Sequence, residues 1–232
     1  MVGVASVEYR FGSTVLPWDL WNRAQERIKT ARNPVALTGA GISLASGIPL
    51  ENGTIDDKQV CRIFDPDYFH RHPREYYDLY ERILNAWRSA VPNAAHFALS
   101  KAGCRVVTLN IDGLHRDAGT NDLIEMHGNL RELRCRRCEA IFDSWSCLNT
   151  KPPLCPTCQS VLHPGICLEG DEVRHFSLAH EWVERCDVFL IIGTSLSDSP
   201  ACELPLVAQK NGIDIIRIDS DAEQVVERLL MQ

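Results

Sequence analysis

Four short, nearly continuous apolar segments recur along the chain: Pro34-Val35-Ala36-Leu37-Thr38, Arg105-Val106-Val107-Thr108-Leu109, Val188 to Ile192, and Asp214-Ile215-Ile216-Arg217-Ile218. Each lies among stretches whose apolar residues repeat at helical spacing. A strand without a polar face has to be covered on both sides, so the alternation predicts an α/β fold, a parallel sheet with helices on both faces. The expected helices are 17–31, 67–87, 93–102, 176–185, 204–210 and 222–230. The first opens on Pro17 and carries Leu20, Trp21, Ala24 and Ile28 on one face; the second repeats Tyr76, Leu79, Tyr80, Ile83 and Leu84. A glycine-containing stretch leads to Leu123-Ile124-Glu125-Met126-His127. Residues 50–66 are polar and aperiodic and read as a loop.

Ligands of such sheets bind beyond the carboxyl ends of the strands. Gly39-Ala40-Gly41 follows the first strand, Asn110 and Asp112 the second, Gly193-Thr194-Ser195 the third and Asp219 the last. Their clustering argues for a nucleotide site. Glycines in Gly39-Ala40-Gly41-Ile42-Ser43 let backbone N–H groups approach a pyrophosphate. The turn stops short of the full dinucleotide fingerprint, because Leu44 holds its third position, and no acidic ribose ligand follows at about 20 residues. A tight strand-to-helix turn is the competing reading.

Cys135, Cys138, Cys155 and Cys158 form two C-x2-C pairs separated by sixteen residues. Two such knuckles complete a closed tetrahedral S4 site, so the spacing predicts structural Zn²⁺. A redox dithiol and chance spacing are the alternatives. The other six cysteines are scattered without a framework, which favours a reducing, cytoplasmic setting. No apolar run approaches bilayer length, and no secretory leader opens the chain. A net charge of −7 argues against a non-specific nucleic-acid binder and tolerates a basic peptide partner.

The sequence resembles the sirtuins, NAD-dependent protein-lysine deacylases, from about Pro34 to Asp219. The resemblance rests on GAGIS (39–43), SGIP (46–49), NIDGLH (110–115), the histidine-glycine pair 127–128, the cysteine pairs and GTSL (193–196), in that order. It implies a discontinuous Rossmann-like NAD-binding domain (1–49, 93–127 and 166–232). It also implies a small domain built from a cofactor loop and helical insertion (50–92) plus a zinc-ribbon module (128–165), with NAD and an acyl-lysine protein or peptide in the cleft between them. The products are then nicotinamide, free lysine and O-acyl-ADP-ribose. His127 matches the general base acting on a ribose hydroxyl, Asn110 the residue that binds the nicotinamide ribose, and Asp112 the holder of the carboxamide. Gly39, Ala40, Gly41, Ser43, Pro49, Ile111, Gly193, Thr194 and Ser195 match cofactor contacts, and Asp219 stands where an asparagine usually meets the adenosine ribose. Read without the resemblance, His127 fits a core histidine, Asn110 and Asp112 turn formers, and His115 a local packing residue.

The family pattern breaks in several places. Leu50-Glu51-Asn52 replaces Asp-Phe-Arg, removing a phenylalanine that shields the reactive ribose carbon and an arginine that holds the loop. Leu109 replaces a glutamine. Glu169-Gly170-Asp171 replaces Phe-Gly-Glu near the acyl-lysine channel; a carboxylate buried there would disfavour apolar acyl groups and suit a cationic or strongly hydrogen-bonding one, and a Glu169 turned outward is the equal alternative. The stretch after Asp219 is short. The lost shield motivates an alternative reading, an NAD-consuming ADP-ribosyltransferase or NAD glycohydrolase. A non-catalytic nucleotide-binding module is a third, against which Asn110, Asp112 and His127 together speak.

Overall fold

The computed structural model describes residues 6–12, 18–50, 53–55, 58–197 and 199–231. Strand β1 (Glu8–Phe11) precedes helix α1 (Trp18–Thr30), which buries Ala24 and Ile28, and β2 (Pro34–Thr38), which is buried throughout. A 3-10 turn over Ala40–Ser46 follows.

Within 50–66, read as a loop, the described residues take regular structure. They form a two-stranded hairpin, β3 (Thr54–Ile55) with β4 (Lys58–Gln59), and a 3-10 helix over Val60–Phe64 that buries Val60 and Ile63. The single helix expected over 67–87 is two, α2 (Pro66–Arg71) and α3 (Pro73–Ala86). Pro73 has no N–H and disfavours helical backbone at His72, so the chain breaks there and restarts with proline at its first position. Helix α4 (Ala94–Lys101) is capped by Asn93, whose Oδ1 accepts from the Ala95 N–H at 3.0 Å.

Next come β5 (Arg105–Thr108), α5 (Leu114–Asp117) and β6 (Leu123–Glu125), then the ribbon strands β7 (Gly128–Arg134) and β8 (Ile141–Asp143), α6 (Ser144–Cys147) and β9 (His163–Ile166). The chain ends with α7 (Phe176–Glu184), β10 (Val188–Ile192), α8 (Leu204–Lys210), β11 (Asp214–Ile218) and α9 (Ala222–Leu230). Among the described residues no helix is long and apolar enough to cross a membrane.

The main sheet runs β1-β11-β10-β2-β5-β6 and is parallel throughout. Ala36, Val106, Leu190 and Ile216 face α1, α4 and α9, while Val35, Val107, Phe189 and Ile215 face α7 and α8. The sheet is Rossmann-like and covered on both sides, as the apolar strands require. Strand β1 was not anticipated: four residues with alternating burial give little local signal, and pairing with β11 makes them a strand.

A separate core joins residues from the 60–84 stretch to the antiparallel sheet β8-β7-β9. Tyr76, Tyr77 and Tyr80 of α3 are completely buried there. Their hydroxyls donate to the carbonyls of Ile63 at 2.8 Å, Leu162 at 2.5 Å and Leu130 at 2.6 Å. Deleting the Tyr76 or Tyr77 hydroxyl would remove the donor to a buried carbonyl, a cost of about 1–3 kcal/mol, whereas the Leu130 carbonyl keeps the Ser144 hydroxyl at 2.8 Å.

Candidate active site and zinc centre

The tips of β2, β10 and β11 open onto one wide groove that reaches solvent. Its floor is made where two glycine turns meet. The Gly41 N–H donates to the Gly193 carbonyl at 2.8 Å, and Gly193 in turn donates to Ile218 at 2.8 Å. A Cβ at Gly39 would lie 2.6 Å from Thr194 Cβ, and one at Gly41 would lie 2.6 Å from Gly193 Cα. These glycines are therefore required first by turn-on-turn packing. No partner among the described residues takes the N–H groups of Thr194 and Ser195, which line the groove with Ala40 at the start of the 3-10 turn. Backbone donors without protein acceptors, at a strand tip, suit an anionic diphosphate.

The β5 tip supplies a second cluster. Ser43 is completely buried; its hydroxyl donates to Asp112 Oδ2 at 2.7 Å and accepts from Asn110 Nδ2 at 3.1 Å. Asn110 Nδ2 also donates to the Gly39 carbonyl at 3.1 Å, which leaves its Oδ1 as the ligand-facing acceptor. Asp112 is 7% exposed and takes the Leu114 N–H on its other oxygen at 2.8 Å. Burial pushes its carboxyl above the ordinary range, against the Leu114 N–H and the Ser43 hydroxyl, which favour the charged form. Both residues line a small apolar cavity with Ala40, Ile48, Pro49 and Ile111.

His127, half-buried, follows β6 at the point where the chain enters the ribbon. It lines a third, open cavity with Phe64, Cys167, Leu168 and Glu169. The three spaces share walls. Ala40 and Leu109 belong to both groove and apolar cavity, Phe64 to the apolar and His127 cavities, and Ser197 to the groove and the His127 cavity. One cleft thus carries the glycine turns, the Asn110–Asp112 pair and the imidazole. Glu169 is exposed at its rim, its N–H donating to the Phe64 carbonyl at 2.8 Å. Of the two readings of this carboxylate, the outward one holds, and no burial cost arises.

A model of the Sir2 family matches residues 39–200 of this chain, more than half its length. The chain belongs to the Sir2 family. It is 37% identical over 202 residues to NAD-dependent protein deacetylase 1 of Pyrobaculum aerophilum, covering 81% of this chain and 78% of that protein. It is 34% identical over 210 residues to an NAD-dependent protein deacylase of Thermococcus sibiricus, covering 83% and 82%. Among solved structures, Sir2Tm bound to a propionylated peptide superposes with a TM-score of 0.78 at 30% identity, over 90% of this chain and 96% of that one. A Sir2–p53 peptide–NAD+ complex gives 0.77 at 31% identity, over 88% and 94%.

This Sir2-family chain carries its four-cysteine centre at the ends of the ribbon strands. The four Sγ atoms lie within 4.8 Å of one another, with Cys135 and Cys158 at 3.4 Å and Cys138 and Cys155 at 3.6 Å. The knuckles repeat one design. Glu139 N–H donates to the Cys135 carbonyl and Gln159 N–H to the Cys155 carbonyl, both at 2.9 Å, and Glu139 and Gln159 both have positive φ. Four thiolates at that spacing, in two equivalent turns, fit tetrahedral Zn²⁺.

Several site-forming residues of this Sir2-family cleft carried no sequence signal. Phe64, Val60 and Trp87 wall the apolar cavity from the stretch read as a loop and from the end of α3. His115 is buried, as the packing reading expected, with Nε2 2.9 Å from Thr38 Oγ1 and its ring 4.7 Å from that of His96. Burial pushes His96 down to about 4 and His115 well below the ordinary histidine value, so both stay neutral. Thr38 donates to Thr108 Oγ1 at 2.9 Å, and Thr108 accepts the Asn110 N–H at 3.1 Å. A buried chain thereby orients Asn110 from beneath. Of the replaced loop, Leu50 lines the groove, while Glu51 and Asn52 lie outside the described residues.

Proposed function

We propose that this chain removes acyl groups from protein or peptide lysine side chains in an NAD-dependent reaction that releases nicotinamide and O-acyl-ADP-ribose. The observation that carries the reading is the single cleft in which the cavity lined by His127 and the cavity of Asn110 and Asp112 share Phe64 as a wall. When bound, NAD supplies an electrophilic ribose carbon with nicotinamide as leaving group. The N–H groups of Ala40, Thr194 and Ser195 hold the diphosphate over the Gly39, Gly41 and Gly193 turns. Asn110 Oδ1 accepts from the ribose, and Asp112, fixed by Ser43, accepts from the carboxamide in the cavity lined by Pro49 and Ile111. His127 takes a proton from a ribose hydroxyl on its ring nitrogen. Phe64 and Trp87 keep water from the apolar side.

The core shared by residues of the 60–84 and 130–168 stretches supports treating 50–92 and 128–165 as one small domain beside the Rossmann-like domain of 1–49, 93–127 and 166–232. The six cysteines outside the four-cysteine centre are scattered and none is paired in a disulfide, which supports a reducing cytoplasmic location.

The test is to incubate the protein with NAD, with and without an acyl-lysine peptide, and identify products by mass spectrometry. O-acyl-ADP-ribose formed only with peptide is the expected result, and His127→Ala should abolish it while retaining ADP-ribose binding. ADP-ribose released without peptide, or a labelled protein, would replace this reading with hydrolysis or transfer.

A further inference from the structure

The groove ends in a cationic corner that the reading above leaves unused. Arg10 of β1 and Arg217 of β11 are register partners on adjacent parallel strands, which places two guanidinium-bearing residues about 4.8 Å apart along the sheet. Like charges side by side destabilise a sheet. Arg217 also interrupts a strand of buried isoleucines, with its side chain only 18% exposed. Asp219 offsets the repulsion: Oδ2 accepts from Arg10 Nε at 2.5 Å and Oδ1 from Arg217 Nε at 2.8 Å. Desolvation raises the Asp219 carboxyl, but the hydrogen bonds from Arg217 and Arg10 outweigh it and hold the group below the ordinary range.

Two cations against one anion leave the corner net positive. Arg217 Nη2 also donates to the Thr194 carbonyl at 3.3 Å, so its guanidinium reaches the turn whose free N–H groups line the groove. Arg10, Arg217 and Asp219 all line that groove themselves. A purely structural role explains an Arg10–Asp219 clasp that fastens β1. It does not explain Arg217, since an isoleucine there would remove the repulsion and the need to neutralise it.

We propose that Arg10 and Arg217, oriented by Asp219, bind the diphosphate of the dinucleotide and neutralise its charge. Asp219 is then a positioning residue, both of its oxygens already engaged, and the nucleotide meets guanidinium edges at this end of the groove. The assignment rests on the deacylase reading and adds to it the residues that recognise the anion.

The test is calorimetric titration of ADP-ribose, adenosine and inorganic pyrophosphate into the full chain, Arg10→Ala and Arg217→Gln, at low and moderate salt. Each substitution should weaken ADP-ribose about tenfold, as expected for one charge-assisted contact. It should also flatten the salt dependence and leave adenosine within twofold. The Arg10 side chain is 65% exposed, against 18% for Arg217, so Arg10→Ala removes no buried group, and a melting curve of each variant separates a loss of folding from a loss of binding. Unchanged ADP-ribose affinity in both variants, or an equal loss for adenosine, overturns the assignment alone. A loss confined to inorganic pyrophosphate also overturns it, by making the corner a general anion site. A parent protein that binds no ADP-ribose overturns the deacylase reading and this assignment together.

Discussion

Replacing Gly41 by alanine tests whether the two glycine turns are packed as tightly as the structure shows. The new Cβ would sit 2.6 Å from Gly193 Cα, 2.9 Å from its carbonyl oxygen and 3.1 Å from its carbonyl carbon. All three are backbone atoms, so no side-chain rotation relieves the clash. Reaching an ordinary 3.4 Å contact requires the 193 turn to retreat by about 0.8 Å. The Gly41–Gly193 hydrogen bond, now 2.8 Å, then passes out of hydrogen-bonding range. Overpacking of this kind costs about 1–3 kcal/mol, and the lost bond about 1 kcal/mol more. For a chain of this length that lowers the melting temperature by about 5–15 °C. Gly47 is the control. It has φ of 83° and no atom within 4 Å of its would-be Cβ, so Gly47→Ala meets backbone strain alone, about 1–2 kcal/mol. Scanning calorimetry gives the stabilities, and ADP-ribose titration shows whether the groove survives. Gly41→Ala should lose both stability and binding, while Gly47→Ala keeps binding. A Gly41→Ala protein that melts within 2 °C of the parent and binds ADP-ribose normally would refute the packing argument.

Asp112 should show a trade between stability and activity. Burial raises its folded pKa above the unfolded value, so its contribution is complete below the unfolded pKa and is lost as pH rises through the folded one. Asp112→Asn should therefore gain in melting temperature relative to the parent as pH rises from acid to neutral, while losing turnover; a relative gain that shrinks with pH contradicts the assignment. The cysteine centre should be coupled to folding. A strong chelator, or Cys155→Ser, should remove about one Zn²⁺ per chain by elemental analysis and abolish the cooperative melting of the ribbon; an unaltered transition after metal loss excludes a structural role.

Residues near one another in sequence were legible from residue pattern alone. Strands β2, β5, β10 and β11 declared themselves because a buried parallel strand needs an unbroken apolar run, and the cysteine pairs because each knuckle closes within four residues. The strand-tip residues followed from that strand reading, since a parallel sheet presents all its carboxyl ends on one side. What escaped was decided by partners distant in sequence. Strand β1 exists through its register with β11, and the Arg10–Asp219 pair spans 209 positions. Phe64 and Trp87 become cleft walls because the tyrosines of α3 bind the stretch at 60–64 and the ribbon into one core. The neutral His96–His115 pair beneath Asn110 arises where α4 and α5 meet. Local periodicity reports which face of an element is buried; which other element covers it is settled only when the whole chain closes around its cores.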